Sequence, residues 1–522
     1  MRNKRTFIYS IFTTIFLLFV ASIITVLVLY CDQFWAVLGT FILIIIVDAI
    51  VAIVLFNSDR EIEIKVSWLL IIVVLPVIGM LFYIWLGSRP FNVKKRNEYN
   101  KDIQKFIDLE DFEYSKSFIS QNANITRFFA YNYYTAKAPI YKNNSIRIIE
   151  DNVHLIKEVV NLIRSAKKTI FLQTYIFRDN SFGLIVLSEL LKKRKEGIEI
   201  FVLYDWFGGR KIKRKNLKLL LEQGINVGIF NSPGINYFKS ASNYRLHAKA
   251  IIVDNKSAIY GGSNISSEYS TFKKNSNNFK DLNFVIEGEA CNSLCINFFN
   301  NLITFTKWYG KNRKNKKEDW IKKFQELHKL APIYRSKKSK LIMQLLQSSP
   351  DVKEKSMEQT LVNIILKAKK SIYISSPFLC PSKQIVDALN YAAQSGIDVR
   401  IIVPNQKDSL SMILNINRSW YQHFLNTGCK IYEYNGFMHS KYVIIDDALT
   451  FTGSCNLDYR SFWINFETAF LIYNEEFTTQ MLKVANNDFI NSKLITKDIY
   501  SKIYTKKDKA LNFFLKIIYP LI

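Results

Sequence analysis

Histidine is scarce in this chain, with five in 522 residues: His154, His247, His328, His423 and His439. Cysteine is sparse as well, six in all, with no C-x-x-C pair and no Cys/His cluster at metal-ligand spacing. That excludes the common zinc-site patterns and leaves the cysteines reading as free thiols on a reducing side. Acidic residues are in deficit: 44 Asp and Glu stand against 71 Lys and Arg, for a net charge of +27. Such a balance predicts an anionic partner: nucleic acid, a negatively charged membrane or a phosphorylated substrate. Apolar residues are not scarce. At 49% beside that charge, they imply that greasy and basic regions are kept apart.

What the chain does hold is one stretch and its copy. His247-x-Lys249-x4-Asp254 is followed by Gly261, Gly262 and Asn264; His439-x-Lys441-x4-Asp446 is followed by Gly453, Ser454 and Asn456. Both read H-x-K-x4-D-x6-G-[GS]-x-N. Two of the five histidines therefore fall at equivalent places. In each copy an apolar run (251–253; 443–445) predicts a buried strand, and a second short strand (257–260; 449–452) follows a turn. His and Lys two residues apart point to one face of the pleat. Imidazole acts as nucleophile or general acid near neutral pH, and Lys with Asn neutralises and hydrogen-bonds an anionic oxygen. The spacing thus predicts a phosphate site that needs no metal, provided two such halves meet. A single H-x-K is commonly just a strand with snorkelling polar ends; two copies at identical spacing in a His-poor chain are not.

These residues resemble the phospholipase D superfamily, named for this His-Lys-Asp pattern. Gly436 to Lys441, Gly453 to Ser461 and Asn465-Phe466-Glu467 are similar to the second motif of bacterial cardiolipin synthases. Tyr175-Ile176-Phe177, Asn243-Tyr244-Arg245 and Ser376-Pro377-Phe378 add to the likeness, which runs from about residue 66 to the C-terminus. Two departures stand out. Leu246-His247-Ala248-Lys249 replaces the family's usual Asn-His-Arg-Lys, and Gln173 stands where the family often has Glu.

The organisation follows in chain order. Residues 6–30, 35–56 and 66–86 are apolar runs, the second broken by Asp48 and the third holding Pro76 and Gly79. Each is long enough to cross a bilayer, for which about 20 residues suffice. The expectation is a membrane region over 1–91 with two to three transmembrane helices, Asp48 facing another helix. Arg2, Lys4 and Arg5 favour an inside N-terminus, and Arg89, Lys94, Lys95 and Arg96 an inside exit; three full spans cannot satisfy both. A cytoplasmic catalytic body on a multi-pass cell-membrane anchor is the preferred reading. Residues 92–137 predict a juxtamembrane linker whose aromatic cluster packs on the body. Two halves follow, 138–340 and 341–522. Residues 166–172 align with 368–374, 197–203 with 396–402, and 224–227 with 428–431. Helices alternating with buried strands mean an α/β class: two duplicated phospholipase D-like α/β sandwich halves sharing one active-site cleft. Basic clusters at 210–215 and 307–323 are expected to press on anionic headgroups. The apolar C-terminal stretch, 511–522, is expected to pack on the body.

The resemblance implies a phosphatidyltransferase of the cardiolipin synthase type, joining two phosphatidylglycerol molecules into cardiolipin with release of glycerol. His247 would be the nucleophile that forms a phosphohistidine, and His439 the acid and base. The residues themselves leave the two roles interchangeable. Lys249, Lys441, Asn264 and Asn456 would hold the phosphate oxygens, and Asp281 and Glu467 would orient the imidazoles. Asp254 and Asp446 complete the catalytic pattern, and their place after the motif strand suits holding its turn. No cofactor, metal or nucleic acid is expected; the partners are phosphatidylglycerol and other anionic membrane lipids, and the oligomeric state is open. The alternatives are a phospholipase D using water, transfer to another alcohol, a membrane-anchored nuclease, and a lipid-binding scaffold. Three apolar runs count against the nuclease, and two intact motif copies count against the scaffold.

Overall fold

The computed structural model describes residues 22, 25, 29, 32–58, 62–87, 109–121, 123–232, 243–269, 279–309, 317–336, 341–350, 355–405 and 412–518. Most of the run 6–30, the flanking charges Arg2, Lys4, Arg5, Arg89 and Lys94 to Arg96, and residues 310–316 of the second basic cluster lie outside them. Apart from a few isolated residues, the chain forms two compact units, one up to Arg89 and a body from Pro90 onward.

In the first unit the run 35–56 is one helix, Gln33–Phe56, with more than half of its side chains exposed and Ala36, Val47 and Leu55 buried. It is the one helix among the described residues long and apolar enough to cross a membrane. Asp48 on it is half-buried, with one carboxylate oxygen fully covered. The run 66–86 does not form the continuous span its hydropathy predicts. A helix Ile62–Val74 stops before Pro76, Val77 turns with φ +66°, and a short helix Ile78–Phe82 leads into a π-turn, Tyr83–Gly87. Proline has no N–H to continue the ladder and crowds the carbonyl one turn back. Gly79 permits the reversal, because a Cβ there would sit 2.4 Å from the Ile71 carbonyl oxygen. As a result the Trp68 and Tyr83 rings lie 5.4 Å apart, where a straight helix would separate them by about 22 Å. This run doubles back on itself.

The body is built twice on one plan. The first half contributes β1 (Asn144–Ile149), β2 (Thr169–Thr174), β3 (Glu199–Asp205), β4 (Asn226–Phe230), β5 (Ala250–Val253), β6 (Ser257–Gly261), β7 (Asn283–Gly288) and β8 (Thr306–Trp308). The second contributes β9 (Ile342–Ser348), β10 (Ser371–Ser375), β11 (Asp398–Pro404), β12 (Lys430–Tyr434), β13 (Tyr442–Ile445), β14 (Leu449–Gly453), β15 (Glu467–Tyr473) and β16 (Ser492–Ile495). The sheet orders are β1-β7-β6-β5-β2-β3-β4-β8 and β9-β15-β14-β13-β10-β11-β12-β16, the same order strand for strand. Parallel β2–β3–β4 and β10–β11–β12 carry crossover helices, and the motif hairpins β5–β6 and β13–β14 add on antiparallel. Helices Ser181–Lys195 and Lys383–Gln394 both end near a left-handed glycine, Gly197 (φ +88°) and Gly396 (φ +89°). Such a residue turns the chain out of a helix without Cβ strain, here into β3 and β11. The outer strands β1 and β9, β7 and β15, and β8 and β16 extend the plan beyond the alternating core read from the sequence.

One face of each sheet, with helices Ala290–Phe305 and Glu475–Ile490, closes a single core that includes Phe171, Tyr260 and Phe284 of one half and Tyr442, Phe470 and Phe477 of the other. The opposite face of the first sheet packs on helices Asn152–Ser165 and Ser181–Lys195. The linker cluster joins this body: Phe128, Phe129 and Tyr133 of helix Ala123–Ala136 are buried, and Asn132 bonds Gln344 and Thr360. At the C-terminus the chain is helical, Lys506–Ile518, with Asn512 donating to the Asn415 carbonyl and to Tyr504.

Candidate active site

Each motif strand begins where the other half's chain lies against it. Leu246 bridges Phe466, and the His247 and Ala248 amides both donate to the Phe466 carbonyl at 2.9 Å. On the other side Phe437 and Met438 pair in parallel with Phe279 and Lys280, and the His439 amide donates to the Lys280 carbonyl at 2.7 Å. The residue that follows each of these docking segments is a carboxylate. The two strand starts therefore exchange partners: Glu467 of the second half faces His247 of the first, and Asp281 of the first faces His439 of the second.

The distances are those of ion pairs. His247 Nδ1 lies 2.7 Å from Glu467 Oε1, with the ring N–H off the ideal hydrogen-bond line. His439 Nδ1 lies 2.6 Å from Asp281 Oδ2. A carboxylate on Nδ1 fixes the proton there and leaves Nε2 with its lone pair, as a nucleophile or base requires. Glu467 is held in turn by the Ser454 hydroxyl (2.5 Å), the Ser461 hydroxyl (3.2 Å) and the Asn465 amide (3.1 Å). Asp281 accepts from its neighbour's amide, Leu282 N, at 2.8 Å. Its carboxylate fills the space beside Gly262, where a Cβ would sit 2.3 Å from Oδ1.

Lys249 Nζ donates to the His247 carbonyl at 2.5 Å, and Lys441 Nζ donates to the His439 carbonyl and lies 2.8 Å from His439 Nδ1. Burial lowers both lysines, Lys249 to about 7 and Lys441 to about 8. Burial also lowers both imidazoles to about 4, against the pull of their carboxylates. Burial pushes Glu467 and Asp281 upward, but the facing cations and imidazoles outweigh it and hold both below the ordinary range. The field of Lys441 reaches His247, and that of Lys249 reaches His439. The two motifs thus form one buried charge cluster: two neutral imidazoles, two lysines and two carboxylates.

The remaining sequence candidates fall at different places. Asn264 Nδ2 donates to Tyr269 Oη (2.8 Å), and its Oδ1 accepts from the Ile176 amide (3.0 Å). It thereby sets Tyr269, whose ring lies 5.4 Å from the His439 ring. Asn456 is buried, its backbone N–H donating to Ser461 Oγ at 3.3 Å. Asp254 and Asp446 lie at the far ends of their strands, seven residues and about 20 Å from each motif His. Asp254 accepts three backbone N–H bonds, from Lys167, Lys168 and Thr169, and Asp446 the same three from Lys369, Lys370 and Ser371. Both residues take positive φ, +53° and +51°, so they tie the motif hairpin to the start of β2 or β10. Gln173 bonds Asn297 and Asn301 of helix Ala290–Phe305. The other histidines are elsewhere: His154 pairs with Glu158, His328 with Asn292, and His423 packs beside Trp420.

Three groups around the site take roles that the sequence did not assign: Ser454 and Tyr175 stood in the quoted motifs without one, and Asp205 was not singled out. Ser454 supports Glu467, and the repeat itself marks this, since the first copy has Gly262 at that position. Asp205 accepts from the amide of Leu246, the residue before His247, at 2.9 Å and from Phe207 and Gly208; burial raises its carboxyl to about 6. Tyr175 lies 5.3 Å from the His247 ring, in the field of Arg245, Arg460 and Arg210.

The family described as "Cardiolipin synthase, PLD-like domain" matches residues 159–303 and 361–489, together more than half of the chain. "Phospholipase_D-nuclease N-terminal" matches residues 43–88. A cardiolipin synthase of Clostridium perfringens strain SM101 is 32% identical over 412 residues, covering 78% of this chain and 83% of that one. A cardiolipin synthase of Halalkalibacterium halodurans is 30% identical over 428 residues, 80% of each. Cardiolipin synthase 1 of Staphylococcus epidermidis strain ATCC 12228 is 30% identical over 440 residues, 82% of this chain and 86% of its own. Among solved structures, the phosphatidylserine synthase of Haemophilus influenzae superposes with a TM-score of 0.59 at 16% identity, over 76% of this chain and all of its own. That likeness is one of fold.

Proposed function

The chain belongs to the phospholipase D-like cardiolipin synthases, and on that premise we propose that it is a phosphatidyltransferase making cardiolipin and glycerol from two phosphatidylglycerol molecules. The observation that carries the mechanism is the crossed pairing of His247 with Glu467 and His439 with Asp281 in one charge cluster.

The cluster is balanced when empty: two lysines offset two carboxylates, and both imidazoles are neutral. A phosphodiester brings in one negative charge, and restoring the balance requires one imidazole, His439, to take up a proton. His247, neutral with Nε2 bare, attacks phosphorus; the O–P bond to the leaving glycerol breaks, and His439 gives that oxygen its proton. The neutral His439 then removes a proton from the hydroxyl of the second phosphatidylglycerol, whose oxygen displaces His247 from phosphorus. Lys249 and Lys441 neutralise the phosphoryl oxygens through both steps. Carboxylates held on Nδ1 keep each ring in one tautomer and one orientation, the role an aspartate plays beside a catalytic histidine. The roles of His247 and His439 rest on likeness to the superfamily, since the local geometry of the two is nearly the same.

The apolar first unit suits an anchor: helix Gln33–Phe56 is long enough to span a bilayer. We place the enzyme on the cell membrane with its body on the cytoplasmic side, the side favoured by the cations at 89–96. An anchored cleft meets lipid acceptor at a crowded surface. Holding that alcohol in place is worth about 7–11 kcal/mol of effective molarity, enough to outrun water. The test is the product balance. Purified enzyme with phosphatidylglycerol vesicles is expected to give cardiolipin and free glycerol in near-equal amounts, and added glycerol is expected to drive the reaction backward. Phosphatidic acid as main product, with no effect of glycerol, would make the chain a hydrolase.

A further inference from the structure

Among the described residues, arginines gather beside His247 and not beside His439. Tyr175 packs edge-on against the His247 ring at 5.3 Å. The turn after β3 lies against it: a Cβ on Gly208 would sit 2.1 Å from the Tyr175 carbonyl oxygen. Phe207 on that turn carries two guanidinium groups, Arg210 at 4.2 Å and Arg245 at 5.1 Å from the ring. From the other half Arg460 reaches across, donating to Asn243 Oδ1 at 3.1 Å and to the Asn243 carbonyl at 2.7 Å. The Arg245 and Arg460 charges repel one another. Two carboxylates lie near and partly offset these charges, while their oxygens also accept from backbone: Asp205 from three amides, and Asp458 from Ser461 N at the cap of helix Tyr459–Trp463. Around His439 the equivalent wall is aromatic, with Phe279, Phe437 and Tyr269 within 6 Å of its ring.

We propose that Arg245 and Arg460, with Arg210 at the rim, form a second anion subsite that holds the phosphate of the acceptor phosphatidylglycerol while its glycerol hydroxyl reaches the phosphohistidine. This rests on the transferase reading above. A reaction joining two phosphodiesters through one glycerol brings two phosphates a three-carbon bridge apart. The His–Lys cluster accounts for one of them. Three guanidinium groups gather at this one place, and guanidinium forks match phosphate oxygens two at a time. A hydrolase would have no use for this wall, because water carries no second phosphate.

Acceptor choice tests it. Purified full-length enzyme with phosphatidylglycerol vesicles as donor is offered isotopically labelled glycerol or labelled glycerol phosphate as soluble acceptor, and label entering the lipid is counted. The native chain is expected to favour glycerol phosphate in kcat/KM by about tenfold or more, the scale of one charged hydrogen bond. In Arg245→Gln and Arg460→Gln that preference is expected to fall to near unity, and in Arg245→Lys to an intermediate value. Arg210→Gln, on an exposed side chain, is expected to reduce it about twofold and serves if Arg460→Gln fails to fold, as melting would show. The inference is overturned if the native chain shows no preference, if folded variants keep it, or if both acceptors lose rate in parallel, which would assign the arginines to the donor. Loss of binding to inert phosphatidic acid vesicles with preference intact would make them a membrane contact and also overturn it. If the native chain transfers to neither soluble acceptor, the transferase reading stands or falls by cardiolipin formation in the same vesicles. Calorimetric binding of glycerol phosphate, weaker in the variants, then still supports the subsite, and equal binding removes it.

Discussion

The two halves of the body share strand order, motif spacing and the aspartate that anchors each motif hairpin, yet they reach the same imidazole geometry by different means. The second half supplies a long acid, Glu467, steadied by the Ser454 hydroxyl; the first supplies a short one, Asp281, drawn close by the bare backbone of Gly262. Side-chain length and side-chain absence compensate, and the ion pairs come out at 2.7 and 2.6 Å. What the duplication preserves is the distance at the site, not the residue. Among the described residues the walls diverge in the same way, arginine beside His247 and aromatic beside His439. A symmetric reactive core is thus set in an asymmetric cleft, as two chemically distinct steps require.

The comparison breaks first at the histidines. His247→Ala and His439→Ala are each expected to lose about 10⁴-fold or more in turnover while the protein still melts cooperatively, because groups acting as one unit do not substitute for each other. Labelled phosphatidylglycerol in mixed micelles measures it, and substantial turnover in either variant would mean two independent sites. Next come the crossed acids. Asp281→Asn and Glu467→Gln are expected to cost about 10²–10⁴-fold in kcat, as loss of a tautomer-fixing carboxylate does. A double-mutant cycle should couple Glu467 to His247 and not to His439.

Gly262→Ser would make the first half imitate the second. With Asp281 in place the new Cβ has no room, and a loss of about tenfold to a hundredfold in kcat is expected. Adding Asp281→Glu should recover part of it, and no recovery would refute the compensation. The lysines set the pH response. Lys249 and Lys441, at about 7 and about 8, lose their charge as pH rises, so kcat/KM should fall above that range by at least about tenfold over two pH units. An acid limb is expected toward about 4, where His247 gains its proton. An activity flat from pH 6 to 10 would remove the lysines from phosphate binding. The smallest effect on turnover is expected for Asp254→Ala and Asp446→Ala. Losing three backbone hydrogen bonds should cost about 1–3 kcal/mol of stability, read as a lower melting temperature, with kcat changed far less.

The repeat was legible because chemistry and strand periodicity sit in the same few residues: H-x-K two apart on a pleat, then a turn. Aligned β2 with β10 and β3 with β11 followed from their apolar runs. The exchange of carboxylates was not legible. Asp281 and Glu467 stand downstream in their own halves, and only the pairing of Phe466 with Leu246 and of Phe279 with Phe437 sends each across. The arginine wall was hidden for a similar reason, since Arg210, Arg245 and Arg460 are scattered in sequence and gathered by Phe207, Asn243 and the joint between halves. Hydropathy misled at 66–86, where an apolar run long enough to span is folded back by Pro76 and Gly79.

The claim that two halves make one site is tested most directly by the phosphoenzyme. Purified enzyme mixed with phosphatidylglycerol labelled at phosphorus, quenched in alkali within a turnover and mapped by peptide, should carry one labelled phosphorus per chain, as a phosphatidyl-derived group on His247. The label should be absent from His247→Ala. Label on both His247 and His439 of the native enzyme, toward two groups per chain, would mean that each half works alone, and the shared site would have to be given up.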